Sequence, residues 1–137
     1  MSFTSIILIL LSIVIVILLF RLIVQNNLYF TSFFSKKIEI LYTGNSIEET
    51  LVQVIKKLKF KRINIINYEI LAITLPSIWS FSEKIKINIE QKKNNKYSII
   101  FTSKCLFPLQ IFDWNKNKRN FSRFHKMLKS TNQIEFI

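Results

Sequence analysis

The chain has 137 residues, half of them hydrophobic, with 20 Lys and Arg against 8 Asp and Glu and a formal net charge of +12. A single cysteine, Cys105, excludes an intrachain disulfide and fits a reducing compartment. With one histidine, His125, and one glycine, Gly44, the chain offers neither the usual three or four zinc ligands nor a glycine-rich phosphate loop, so no cofactor or metal is expected.

The first element is an apolar run from Phe3 to Val24, broken only by Thr4, Ser5, Ser12 and Arg21. At about 1.5 Å per helical residue it measures roughly 33 Å, enough for a hydrocarbon core of about 30 Å. The run is longer than a signal-peptide core, no basic segment precedes it, and Leu22-Ile23-Val24-Gln25 gives no cleavage site, so a retained transmembrane helix is expected over 1–25. Every basic residue lies at or beyond Arg21. Basic flanks stay cytoplasmic, which predicts a single pass through a membrane, N-terminus out and C-terminal domain in the cytoplasm.

Residues 26–37 follow as an interfacial linker. Phe30, Phe33 and Phe34 share one helical face, and with Arg21, Tyr29, Lys36 and Lys37 they form the aromatic and basic set that suits a membrane–water boundary. Packing of this segment on the domain is the competing reading.

The domain is expected over 38–137. Ile38 to Thr43 alternates like a strand, and Gly44 marks a turn. Ser46 and Glu49 form a capping box, after which Ile47, Leu51, Val54, Ile55 and Leu58 fall on one helical face. Arg62 to Ile66 and Glu69 to Leu75 read as a hairpin about Asn67-Tyr68. Glu83 to Gln91 places Ile85, Ile87 and Ile89 on one side and Lys84, Lys86, Asn88 and Glu90 on the other; Asn94-Asn95 turns the chain into Lys96 to Lys104. Phe121, Phe124, His125 and Leu128 then define a terminal helix with Asn120 as its cap. The predicted fold class is α+β: an N-terminal transmembrane helix followed by an antiparallel sheet domain, β-α-β-β-β-β-α, with two helices packed on one face.

Two loops are not explained by hydrophobic periodicity. One is Ser77 to Lys84, with Trp79, Phe81 and Glu83; the other is Pro108 to Asn120, with Asp113, Trp114, Lys116, Asn117, Lys118 and Arg119. The pair S-x-W-S-F-x-E-K and F-P-x-Q-x-F-D-W-x-K-N-x-x-N resembles a family of small bacterial single-span membrane proteins of unknown function. The resemblance covers Ile70 to Lys129 or so, and Ser82 and Asn115 stand where the family often has glycine. It implies a bacterial inner membrane and says nothing of activity.

From the residues alone, the second loop has a structural reading and a functional one. Asp113 can accept from the amides that open the last helix or pair with Lys116 or Arg119, with Trp114 as a packing lid and Asn117 and Asn120 closing the turn. Alternatively Trp114, among Lys116, Lys118 and Arg119, is a presented contact. His125 reads as a core or boundary residue and Cys105 as a small buried hydrophobe, so no catalytic set is expected. The expected function is a non-enzymatic interaction module at the cytoplasmic membrane face, recruiting or regulating a protein partner, which the basic charge suggests is acidic. Alternatives are an anionic-lipid surface-binding domain or a small-ligand pocket between sheet and helices. Nucleic acid is not expected, because the phenylalanines near the basic residues keep core spacing.

Overall fold

Period-two alternation in the middle of the chain builds the domain. The computed structural model describes residues 3–24, 33–77, 81–107 and 115–137. Its elements are α1 (Phe3–Val24), β1 (Phe33–Tyr42), α2 (Ile47–Lys57), β2 (Lys61–Ile66), β3 (Glu69–Ile73), β4 (Glu83–Gln91), β5 (Lys96–Cys105), α3 (Lys116–Lys129) and β6 (Ile134–Phe136). The strands form one six-stranded sheet in the order β2-β3-β4-β5-β1-β6, every described neighbour antiparallel. The α+β class and the one-sided sheet stand as expected. The three-residue strand β6 was not anticipated; it pairs Ile40 to Tyr42 with Phe136 to Ile134.

Register explains the single core. Ile38 lies opposite Ile99, Ile87 opposite Phe101 and Ile70 opposite Ile87, so their side chains share one face of the pleat. Helices α2 and α3 cover that face with Leu51, Val54, Ile55, Phe121, Phe124 and Leu128, all buried. Phe101 packs against Phe124, tilted, and Phe121, edge-on, at ring distances of 4.9 and 5.6 Å. Ser46 caps α2 by accepting from the Glu49 amide at 3.3 Å.

The turns show how a chain with one glycine manages left-handed backbone. Asn67, Tyr68, Asn94 and Asn95 all have positive φ, as two-residue hairpin turns demand. Lys59 takes φ 62° just past α2, where its amide donates to the Lys56 carbonyl and the Phe60 amide donates to the Ile55 carbonyl. These are the two bonds of a Schellman motif, at whose turning point glycine is usual. Gly44 itself answers a different need. A Cβ there would stand 2.3 Å from the Tyr42 hydroxyl, which is anchored to the Ser46 carbonyl and Thr50 Oγ1, each at 2.8 Å.

Three expectations are corrected. No helix among the described residues is long and apolar enough to cross a membrane. The transmembrane helix and the single pass built on it are therefore withdrawn. Next, β1 begins at Phe33, so Phe33, Phe34, Lys36 and Lys37 belong to the sheet rather than to a helical linker face. Phe34 turns inward to meet the Phe121 ring at 5.4 Å while Phe33 stays exposed, the alternation of a strand. Finally, α3 starts at Lys116 with Asn115 as its N-cap residue, so Asn120 lies inside the helix and does not cap it. Tyr29 and Phe30 lie outside the described residues, as does the side chain of Arg21.

Candidate functional site

Inward alternation along β4 carries past Ile85 to Glu83, which places a carboxylate on the apolar face. Glu83 is 0% exposed. Its backbone amide donates to Thr74 Oγ1 at 2.9 Å, and the Thr74 hydroxyl donates back to Glu83 Oε2. Lys116, in the first turn of α3 and with a side chain 12% exposed, brings its ammonium to 3.0 Å from the same carboxylate oxygen. That ammonium also donates to the carbonyls of Leu75 at 3.1 Å and Phe81 at 3.2 Å. Three donors on one ammonium thus tie both ends of the β3–β4 connection to the start of α3.

A second polar group lies beside the first. Ser103 and Cys105 are the inward positions at the end of β5, and Asn117 and Asn120 are on the buried stripe of α3. Ser103 Oγ donates to Asn117 Oδ1, Asn120 Nδ2 donates to Ser103 Oγ at 3.3 Å, and Asn117 Nδ2 donates to Cys105 Sγ at 3.6 Å. Bonded in this way, buried polar groups escape the cost of desolvation. The expectation that Asn117 and Asn120 close a loop gives way to helix-to-sheet bonds, and Cys105 is buried as expected.

Over these groups lies an apolar surface. Phe81 and Phe107 are 57% and 42% exposed, with ring centroids 4.8 Å apart, and Leu75 and Leu106 are exposed in the same two connections. The two sequence motifs therefore meet: Phe81 and Glu83 of the first touch Phe107 and Lys116 of the second. Lys84 and Lys104 lie directly opposite each other on the far face of β4 and β5, both exposed. Lys118 and Arg119 are exposed on α3 and take no part in the buried groups. Trp79, Asp113 and Trp114 lie outside the described residues.

Thr74 and Ser103 were not singled out from the sequence. Ser103 shares the inward register of Phe101 and Ile99, a signal available from alternation alone. His125 stacks on Phe121 at 5.6 Å and meets Phe136 edge-on at 4.8 Å. Burial, then the nearby Lys129 and Lys36, holds its imidazole below the usual range. Among the described residues, no group of three or more His, Cys, Asp or Glu could hold a metal. Comparison with protein-family models, curated proteins and solved structures gave no match.

Proposed function

We propose that the chain is a non-enzymatic interaction module of a bacterial membrane, with its α+β domain on the cytoplasmic side, and that it recruits or regulates a protein partner. The observation that carries this reading is the exposed Phe81–Phe107 surface held over the Glu83–Lys116 pair. Exposed aromatics on a rigid support are what a binding hot spot requires. The excess of basic residues favours an acidic partner. Helix α1 supports association with lipid: its residues from Ile6 to Leu19 are exposed and, apart from Ser12, apolar on every side, a surface that calls for a cover.

A photocrosslinking residue at Phe107, introduced into the full chain in cells, tests the reading. The expected result is one discrete protein adduct that disappears when Phe81 is changed to Ser. Absence of any protein adduct overturns it. A second reading, an anionic-lipid surface, is favoured by the facing Lys84 and Lys104, whose mutual repulsion an anionic headgroup would relieve. Crosslinks to lipid alone, lost as salt is raised, would select it.

A further inference from the structure

A cleft of about 180 Å³ opens where the end of α2, the end of β3 and the first two turns of α3 meet. Its apolar wall is Leu58, Phe60 and Leu75, and its cations are Lys59, Lys116 and Arg123. No acidic side chain lines it among the described residues. Lys116 is already matched by Glu83. Lys59 and Arg123 form no salt bridge among the described residues, so two unmatched cations stand over an apolar wall. The first turn of α3, which borders the cleft, contains no acidic residue to offset the positive end of the helix. Lys59 is held there by a left-handed backbone that glycine would adopt more cheaply.

We propose that this cleft binds a small amphiphilic anion, a carboxylate or phosphate head on a short apolar body. The head lies between Lys59 and Arg123, and the body lies against Leu58, Phe60 and Leu75. A volume of about 180 Å³ is below the roughly 300–1,000 Å³ of drug-sized pockets, which suits a short body. Such a head can belong to a lipid or to a free metabolite.

The test uses the isotope-labelled full chain in zwitterionic nanodiscs, titrated with hexanoate and followed by amide NMR shifts. Saturable shifts are expected at Phe60 and Leu75, with a Kd on the order of 1 mM. Hexanol and inorganic phosphate, which lack the head and the body respectively, should bind far more weakly. Arg123→Gln should weaken hexanoate by about fivefold. Lys59→Gly should do the same while raising Tm, so its loss of binding cannot be ascribed to unfolding. Hexanol binding as well as hexanoate, or unchanged affinity in both variants, or no saturation, would overturn the assignment. Repeating the titration in nanodiscs with phosphatidylglycerol separates the sources. Suppressed hexanoate shifts place a lipid headgroup in the cleft, and unchanged shifts leave it to a free anion; either supports an anion site. The cleft does not include Phe81 or Phe107, so its failure would leave the partner surface standing.

Discussion

Replacing Lys116 with Met isolates the buried ion pair. Met fills much of the space of the lysine stem but removes all three bonds of the ammonium, to Glu83, Leu75 and Phe81. Glu83, 0% exposed, then loses the ammonium bonded to it while Thr74 still holds the carboxyl. Removing one member of a buried pair costs about 3–5 kcal/mol. For a domain near 100 residues that is a fall in Tm of roughly 12–40 °C. The second substitution, Glu83→Gln, removes the carboxylate that the ammonium had matched while keeping an acceptor for Thr74. The double variant should therefore be more stable than Lys116→Met alone, by about 1 kcal/mol or more. Urea unfolding of the full chain in mild detergent, followed by circular dichroism, gives all four corners of the cycle. A loss of less than about 1 kcal/mol for Lys116→Met would refute the reasoning, since the pair would then be worth no more than an exposed one. A double variant no better than Lys116→Met would refute it differently, by showing that the two carbonyl bonds, and not the charge, set the cost.

Three further outcomes follow from the same structure. Gly44→Ala should lower stability by about 1–3 kcal/mol, because the new Cβ must displace a buried, hydrogen-bonded Tyr42, and the urea midpoint should fall accordingly. Tyr68→Gly should raise Tm by roughly 4–8 °C, through about 1 kcal/mol of relieved left-handed strain at φ 62°; an unchanged Tm would place that strain elsewhere. His125 has a folded pKa below its ordinary value of 6.5, so the unfolded chain binds the proton first. Its contribution to stability is present above 6.5 and is lost as pH falls from there through the folded value. His125→Gln should flatten Tm against pH across that window, and an equally steep profile in the variant would assign the effect to another group.

Alternation and helical spacing carried the domain. Ile85, Ile87 and Ile89 gave the inward face of β4, and Leu51, Val54 and Ile55 gave that of α2, each borne out by burial. The same logic extended by one step would have placed Glu83 inside, because it sits two residues before Ile85 in the same strand. The sequence opens the strand at Glu83 and also counts it in the first loop without placing it on the inward face; a carboxylate is rarely fully buried unless it is paired, and its partner lies far along the chain. Asn117 and Asn120 belong to the stripe of Phe121, Phe124 and Leu128 at helical spacing, yet Asn favours caps and turns, and that preference prevailed. The β6 strand is three residues long, too short for periodicity to register, and it exists because β1 offers it an edge. The apolar run of α1 was legible in full, but its length in sequence did not translate into a span among the described residues.

The Glu83–Lys116 pair also joins the two motifs. A buried ion pair is a poor source of stability, since well-packed apolar side chains of the same volume often do as well or better. What it supplies here is position. The Lys116 ammonium contacts carbonyls on both sides of the β3–β4 connection, at Leu75 and Phe81, and so sets where that connection lies against α3. Phe107, in the other motif, packs on Phe81 and is fixed with it. An apolar pair could fill the space, but it would not tie two carbonyls to one point. Polar residues at the interior end of β4 and the first turn of α3 thus hold two aromatic side chains in one fixed arrangement, the preorganisation that the proposed partner surface calls for.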